Sequence, residues 1–220
     1  MNSGIVFDLD GTLITCGNKQ KFVLYSVLNA MDDHTAYNPE AWWALKREGM
    51  NTEKALAELG FLNAKTISDQ WKMEIEKSVW GELDKPFEDS LPTFKYLKES
   101  QGIDIIILTA RKYKYLVLQK IFTYGFYEFI DDLIVVDPFR VVEEKRKYLE
   151  KIKPIVYVGD TELDYFSATG SGVRFIALTR GQRSRTFLNT VGDMQTQDNL
   201  KFLNNINYLC LLLKDRQIQI

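Results

Sequence analysis

The sequence predicts an α/β fold, a doubly wound parallel sheet that carries an inserted, all-helical subdomain. Its short apolar runs are nearly continuous rather than alternating, which is typical of strands covered on both faces. Helical patterns separate these runs, as in doubly wound sheets. The interval after the first run is far too long for a single crossover and indicates an insertion. The chain has 220 residues, enough for one domain with a smaller inserted unit.

The predicted strands are five apolar runs. They are residues 5–9 (IVFDL), 103–109 (IDIIILT), 133–137 (LIVVD), 155–160 (IVYVGD) and the weaker 173–178 (VRFIAL). Helices are predicted between them, at 91–99 after Ser90 and around Pro92, at 112–123, at 143–151, and at 162–169 before Gly170. A last helix is predicted over about 199–213, because Leu200, Leu203, Ile206 and Leu209 recur at helical spacing.

The insertion covers residues 17–86, which contain helical patterns but no strand-like run. Three helices are expected at 19–31, at 39–46 or a little further, and between Asn51 and Gly60, which suit a helix start and stop. A fourth is expected to bury a stripe at spacing four, formed by Ile67, Trp71, Ile75 and Val79. We therefore predict a core of residues 1–16 and 87–220 with a helical cap at 17–86.

Composition excludes several classes of function. The formal net charge is −2, so no global field favours nucleic acid or an anionic membrane. The first residues do not resemble a secretory signal, and the apolar run at 208–213 is too short for a membrane helix. Two cysteines indicate no disulfide framework, so we expect a reducing, cytoplasmic setting. His34, the single histidine, is expected in an exposed loop, which leaves acid–base and metal chemistry to carboxylates.

Polar residues end three of the predicted strands. Asp8 and Asp10 close the first, Thr109 closes the second, and Asp160 closes the fourth, with Asp164 four residues further on. Ligands of open α/β sheets bind at the carboxyl ends of the strands, so these side chains should converge. Converging carboxylates without histidine suit a hard cation, and Mg²⁺ is the usual candidate beside phosphate.

The same strand ends suit a phosphoryl group. The turn at Gly11 and Thr12 could hold phosphate oxygens on its main-chain N–H groups, and the Thr109 hydroxyl is a further donor. A carboxylate is a competent nucleophile toward phosphorus, so dephosphorylation could run through an aspartyl-phosphate.

Three motifs, DLDGT at 8–12, LTAR at 108–111 and GDTELD at 159–164, occur in an order that resembles the haloacid dehalogenase (HAD) superfamily. The resemblance is to its phosphatase and phosphomutase branch, and the insertion lies where that family carries a C1-type cap. It implies that Asp8 is the nucleophile and a metal ligand and that Asp10 is the general acid and base, with its main-chain carbonyl on Mg²⁺. It also implies that Thr109 binds the phosphoryl group, that Asp160 is the other carboxylate ligand, and that Asp164 supports it in the metal site.

The family's lysine motif has two candidates here. Lys145 lies at the start of the helix before the fourth strand, which is the expected place, and Lys147 follows two residues later. The proline that often follows this lysine is absent. We favour Lys145 as the catalytic lysine.

Two further features could have either a purely structural role or a role in substrate binding. Arg111 is either a solvated residue at a helix start or a contact for the substrate phosphate. The tryptophan pair at 42–43, with Lys46 and Arg47 beyond it, forms part of the cap core or lines a cap pocket.

Together these features predict a Mg²⁺-dependent phosphatase that hydrolyses a small phosphorylated metabolite through an aspartyl-phosphate. Sugar phosphates and nucleoside monophosphates are the substrate classes that the family resemblance favours. A phosphomutase shares all of these motifs and is the alternative enzyme. A catalytically silent binding module of the same fold is the alternative from another class.

Overall fold

A sheet of parallel strands forms the centre of the protein. The computed structural model describes residues 4–32, 36–192, 201–203 and 205–214, and these residues contain six paired strands. The strands are β1 (Ile5–Phe7), β2 (Ile105–Ala110), β3 (Asp132–Val136), β4 (Val156–Gly159), β5 (Phe175–Leu178) and β6 (Lys201–Leu203). Their order across the sheet is β3-β2-β1-β4-β5-β6, and every pair is parallel.

The strand order reverses at β1. The chain passes from β1 to β2 and β3 on one side and then returns to β4, β5 and β6 on the other. Phe7, the last residue of β1, is level with Ile107 of β2 and with Val158 of β4. The carboxyl ends of these three strands therefore meet at one edge, which is the usual ligand site of an open α/β sheet.

Helices cover both faces of the sheet. The helices of the insertion, described below, are α1 to α4. Those that cover the sheet are α5 (Ser90–Lys95), α6 (Lys114–Thr123), α7 (Val141–Ile152), α8 (Glu162–Gly170), the short α9 (Arg185–Leu188) and α10 (Asn207–Lys214). Ile5 and Phe7 pack with α5, α6 and α10, whereas Val6 packs on the opposite face with α7, α8 and α9. This alternation along β1 follows from the two-residue repeat of a strand. The predicted doubly wound, parallel α/β fold is confirmed.

The helices of the insertion have an apolar cluster of their own. They are α1 (Gly17–Ala30), α2 (Pro39–Arg47), α3 (Thr52–Glu58) and α4 (Ala64–Glu74). Leu24, Trp42, Leu56 and Ile67 contribute one large side chain from each helix to this cluster. Asn51 caps α3 by accepting from the N–H of Lys54 at 2.9 Å.

The two connections between the insertion and the sheet run side by side. The Thr15 N–H donates to the Lys85 carbonyl at 2.7 Å, and the Lys85 N–H donates to the Thr15 hydroxyl at 3.0 Å. Two residues further along each connection, the Phe87 N–H donates to the Leu13 carbonyl at 3.0 Å. These contacts lie at the predicted boundaries of the cap, whose extent of 17–86 stays a prediction.

Two predicted elements differ in the structure. The last stretch is not one helix over 199–213: residues 201–203 form β6, and α10 follows after a break. The predicted fourth helix of the insertion ends at Glu74, before a short 3₁₀ helix at Ser78–Leu83, so Val79 is 69% exposed instead of buried. In each case the apolar residues keep a helical spacing in the sequence beyond the point where the helix itself ends or gives way to another element. His34 and Leu200 lie outside the described residues.

Two smaller differences concern the ends of elements. β1 stops at Phe7 because Asp8 begins the next loop, and the helix predicted at 91–99 begins at Ser90 and ends in a π-helical turn, Tyr96–Ser100. Within the part of the chain that the structure describes, none of the helices has the length and apolar character needed to cross a membrane.

Candidate active site

A tight loop after β1 carries the first pair of aspartates. Asp8 directly follows the strand, and its N–H donates to the Val158 carbonyl of β4 at 2.8 Å. The Leu9 carbonyl accepts from the N–H of Leu13 at 2.9 Å, which closes the turn. Gly11 lies within it at φ +84°, a left-handed conformation that glycine adopts readily. The sequence DLDGT therefore folds into a loop that stays close to the end of β4.

A second group of carboxylates follows β4 and is held by a capping box. The Thr161 hydroxyl accepts from the Asp164 N–H at 3.3 Å, while the Asp164 carboxylate accepts from the Thr161 N–H at 3.2 Å and from its hydroxyl at 2.6 Å. Asp160 is fully buried just before this cap. A Cβ at Gly11 would overlap the Asp160 carboxylate, so the glycine lets the two loops approach each other.

Lys145 joins the two groups of carboxylates. From α7, its Nζ donates to Asp8 Oδ1 and Asp164 Oδ1, both at 2.7 Å, and to the Tyr157 hydroxyl at 2.8 Å. The Tyr157 hydroxyl in turn donates to Asp164 Oδ1 at 2.5 Å. Lys147 is exposed and pairs with glutamates of its own helix. Of the two lysines that the sequence left open, Lys145 is the one that contacts the carboxylates.

The buried charges of this cluster do not balance. Oxygen atoms of Asp8, Asp160 and Asp164 lie within 4.8 Å of one another, and Lys145 is the ammonium among them. Burial raises the pKa of Asp8 to about 7 in spite of Lys145, and burial together with Asp8 raises the pKa of Asp160 well above its usual range. Burial also acts on Asp164, but Lys145 outweighs it and the pKa of Asp164 is lowered. The excess negative charge is what a bound cation would neutralise.

The donor set of the cluster fits Mg²⁺. The available atoms are carboxylate oxygens, which are the ligands that a hard cation prefers. Each oxygen of Asp164 already accepts two hydrogen bonds, from Lys145 and Tyr157 on one side and twice from Thr161 on the other. These bonds favour a supporting role for Asp164. Asp8 and Asp160 remain as the carboxylates with free acceptor capacity.

The carboxylate of Asp10 is bound by Arg111 in a two-point contact. Arg111 Nε donates to Asp10 Oδ2 at 2.7 Å, and Arg111 Nη2 donates to Asp10 Oδ1. Burial would raise the pKa of Asp10, but the guanidinium outweighs it and the pKa is lowered. Arg111 also lies 3.8 Å from Glu76 and 3.9 Å from Asp84. The sequence left Arg111 as a solvated residue or a contact for the substrate phosphate; its side chain is only 16% exposed and binds Asp10, and the phosphate contact stays a prediction.

Two threonines lie at the same edge of the sheet as the carboxylates. Thr109 is buried near the end of β2, two residues beyond Ile107, which is level with the last residue of β1. The Thr12 hydroxyl donates to Asp160 Oδ1 at 3.5 Å, across the approach of the two loops. The structure thus brings all the residues of the predicted site to one edge of the sheet, with the carboxylate of Asp10 turned to Arg111.

Sequence analysis missed three residues of this site. The Gln182 N–H donates to Asp160 Oδ2 at 2.5 Å, and a Cβ at Gly181 would overlap that carboxylate and the carbonyl of Gly11. Both residues lie in the loop after β5, where a glycine soon after a strand end was the available signal. Tyr157 was hidden in an apolar run, although a buried tyrosine hydroxyl normally needs a partner.

Asp10 borders a cavity between the edge of the sheet and the insertion. A small cavity of about 150 Å³ is lined by Asp10, Cys16, Gln20, Arg111 and Gln182, among others. A larger cleft of about 930 Å³ shares Gln20, Arg111 and Gln182 with it and extends to Lys46 and Trp71. The space beside Asp10 is therefore bounded by residues of both the sheet and the inserted helices.

Comparison with known families agrees with this geometry. The sequence model of the haloacid dehalogenase-like hydrolases matches residues 3–172, which include β1, the insertion and the GDTELD loop. The chain belongs to this hydrolase family. None of the curated proteins matches the chain by sequence.

Solved structures share the fold of this HAD-family chain over nearly its whole length. A haloacid dehalogenase-like family protein from Streptococcus pneumoniae superposes with a TM-score of 0.71 at 17% identity, covering 96% of this chain and 99% of that one. A predicted phosphatase from Clostridium acetobutylicum gives 0.70 at 18% identity, with coverages of 97% and 100%. A predicted phosphoglycolate phosphatase from Haemophilus somnus gives 0.67 at 17% identity, with coverages of 96% and 98%. At such identities, the likeness shows the fold.

Proposed function

We propose that this HAD-family hydrolase is a Mg²⁺-dependent phosphatase that hydrolyses a small phosphorylated metabolite through an aspartyl-phosphate on Asp8. The observation that carries the proposal is the contact of Lys145 Nζ with Asp8 and Asp164, at 2.7 Å each, inside the buried carboxylate cluster. An ammonium held there favours the ionised form of Asp8 against the effect of burial, and it offsets charge that develops on the phosphoryl oxygens.

In the first step, a carboxylate oxygen of Asp8 attacks the phosphorus and the bond from phosphorus to the ester oxygen breaks. The leaving oxygen takes a proton from Asp10, the general acid that the family resemblance implies. Thr109 and the N–H groups of the loop at Gly11 and Thr12 are placed to hold the phosphoryl oxygens.

In the second step, water attacks the phosphorus, the bond to Asp8 breaks, and Asp10 takes the proton of the water. Arg111 lowers the pKa of Asp10 and so favours its ionised form, which is the form that can accept a proton from water. The acid step requires a protonated Asp10, so we infer that the contact between Arg111 and Asp10 loosens when substrate binds.

Mg²⁺, when bound, would withdraw charge from the transferring phosphoryl group. Asp8 and Asp160 would hold it together with the main-chain carbonyl of Asp10, while Asp164 fixes Lys145. The low cysteine content supports a reducing, cytoplasmic setting for the enzyme.

Similarity supports the substrate class without naming a substrate. Two of the structural neighbours are described as a predicted phosphatase and a predicted phosphoglycolate phosphatase. Both descriptions agree with hydrolysis of a phosphoric monoester. The insertion over the cluster is proposed to act as the cap that excludes bulk water during attack.

Release of phosphate from para-nitrophenyl phosphate tests the proposal. Asp8→Asn should lower the rate by more than about a thousandfold, because the nucleophile is lost. Asp137→Asn is the matched control: Asp137 also follows a parallel strand directly, but it is exposed and should leave the rate unchanged. EDTA should stop the wild-type reaction and added Mg²⁺ should restore it. Activity that survives Asp8→Asn, or that persists in EDTA, contradicts the mechanism.

A further inference from the structure

A buried lysine of the insertion faces the cleft and has no acidic partner. Lys46 is 8% exposed, near the C-terminal end of α2. Its Nζ donates to the Thr52 hydroxyl at 3.0 Å and lies 5.6 and 5.0 Å from the ring centroids of Trp42 and Trp71. Among the residues that the structure describes, no carboxylate oxygen lies within 4.0 Å of this nitrogen. Buried ammonium groups are normally paired, so this one is suited to an anionic ligand.

The main chain at Lys46 is fastened to the edge of the sheet that carries the carboxylates. Its carbonyl accepts from Arg183 Nη1 at 2.8 Å. The Arg183 guanidinium forms a two-point ion pair with Glu162, at 2.6 and 2.7 Å, and Glu162 lies two residues after Asp160. Lys46 is therefore held at a fixed place relative to the loop of Asp160.

The side chain of Lys46 lines a cleft that adjoins the cavity beside Asp10. It borders the cleft of about 930 Å³, and Gln20, Arg111 and Gln182 border both this cleft and the cavity beside Asp10. Gln20 is buried, and its Oε1 has no hydrogen-bond partner in the described structure. A bound molecule that reaches from Asp10 toward Lys46 would pass this free acceptor.

We propose that Lys46 binds a carboxylate at the end of the substrate remote from the transferred phosphate, so that the substrates are phosphate monoesters of hydroxy acids. This inference rests on the proposed phosphatase function and names its substrate class. Gln20 is then placed to accept a hydrogen bond from a hydroxyl of the same molecule.

A carboxylate fits this place better than a second phosphate. Phosphate sites usually use an arginine fork or several cations. The arginines nearby are already engaged: Arg183 binds Glu162, Arg111 binds Asp10, and Arg47 donates to main-chain carbonyls after β5. The other lysines that border the cleft are exposed: Lys72 pairs with Asp69, Lys77 pairs with Glu74, and Lys112 lies over the ring of Tyr113. Lys46 is thus the buried lysine of the described cleft, and its one charge matches a single negative charge.

The ammonium is charged at neutral pH although it is buried. Burial and the neighbouring Arg183 lower the pKa of Lys46 to about 8, against the weaker opposing effects of Cys16 and Glu162. A bound carboxylate would supply the charge that the pocket itself lacks.

Matched pairs of substrates test the inference. The acids are 2-phosphoglycolate, 3-phosphoglycerate and 6-phosphogluconate, and their neutral partners are 2-hydroxyethyl phosphate, glycerol 3-phosphate and glucitol 6-phosphate. A comparison of fructose 1,6-bisphosphate with fructose 6-phosphate tests whether Lys46 binds a second phosphate instead of a carboxylate. The wild-type enzyme should prefer one acid over its neutral partner by roughly ten- to a hundredfold in kcat/KM, as expected for one charged hydrogen bond.

Lys46→Met keeps the length of the side chain without its charge. It should remove that preference through KM, with kcat nearly unchanged, and should leave turnover of the neutral esters within about twofold. Lys46→Arg should restore most of the preference. Lys65→Met, at an exposed lysine of the same insertion, is the matched control and should behave as wild type.

The outcomes separate this inference from the function on which it rests. Asp8-dependent hydrolysis of para-nitrophenyl phosphate without any preference for an acid contradicts the inference alone. A preference for the bisphosphate, or a preference for an acid that survives Lys46→Met, also contradicts it. Absence of Asp8-dependent hydrolysis for every ester contradicts both proposals.

Discussion

Replacing Lys46 by methionine is expected to stabilise the fold while it weakens substrate binding. Burial holds the pKa of Lys46 at about 8 instead of 10.5, so the native state disfavours the charged form. A fall of about 2.5 in pKa corresponds to about 3 kcal/mol. Loss of the hydrogen bond to Thr52 and of the contacts with the rings of Trp42 and Trp71 offsets about 1–2 kcal/mol of this. Methionine keeps the apolar contacts, so the net gain is about 1–2 kcal/mol at pH 7.

The gain should depend on pH in a defined direction. Below about pH 8, Lys46 is charged in the native and in the unfolded protein, and the native state carries the full cost. Between about pH 8 and 10.5, the native protein has lost this proton and the unfolded chain keeps it, so wild-type stability rises with pH. The cost of burying the charge is therefore complete below pH 8 and disappears near pH 10.5, so the advantage of Lys46→Met shrinks across this range. The neighbours Arg183, Lys72, Glu162 and Cys16 are present in both proteins.

Urea unfolding followed by far-ultraviolet circular dichroism, at pH 7 and at pH 10, measures this effect. Lys65→Met is the control, because its exposed ion pair with Asp69 should contribute less than about 1 kcal/mol. A higher unfolding midpoint for Lys46→Met at pH 7, with a smaller difference at pH 10, is the expected result. A lower midpoint at pH 7, or an equal gain at both pH values, would refute the reasoning.

Three further substitutions probe the carboxylate cluster. Lys145→Met should lower phosphate release by at least about a hundredfold and the free energy of unfolding by about 3 kcal/mol, because buried carboxylates lose their partner; unchanged stability in urea would contradict this. Gly181→Ala should destabilise the fold by about 1–3 kcal/mol, since its methyl would overlap the Asp160 carboxylate; an unchanged melting temperature would show that the loops can separate. Tyr157→Phe should slow phosphate release about tenfold, and an undiminished rate would exclude a role for its hydroxyl in holding Lys145.

The sequence was informative wherever the local pattern decides the structure. Asp8, Thr109 and Asp160 could be placed because each follows a near-continuous apolar strand, and the carboxyl ends of neighbouring parallel strands share an edge. The choice between Lys145 and Lys147 could not be made from spacing with the same certainty. Residues two apart on a helix point in different directions, and only the packing of α7 on the sheet decides which one faces Asp8.

Contacts between segments that are distant in the chain could not be predicted from the sequence. The pairing of Arg111 with Asp10 joins two loops that are a hundred residues apart, and no local pattern encodes it. The strand β6 was assigned to a helix because its apolar spacing suits a helix, while its pairing with β5 depends on the whole sheet. The tryptophan pair illustrates both possibilities that the sequence left open, since Trp42 lies in the core of the insertion and Lys46, one turn later, lines the cleft.

The central claim, an aspartyl-phosphate on Asp8, is tested most directly by chemical trapping. Borohydride reduces an acyl phosphate to an alcohol, so an enzyme quenched with borohydride during turnover should carry homoserine at position 8. We expect peptide mass spectrometry to find this change in the wild-type enzyme with substrate and Mg²⁺, and to find none without substrate. Rapid turnover that leaves Asp8 unreduced, or a reduced residue at another position, would contradict the account.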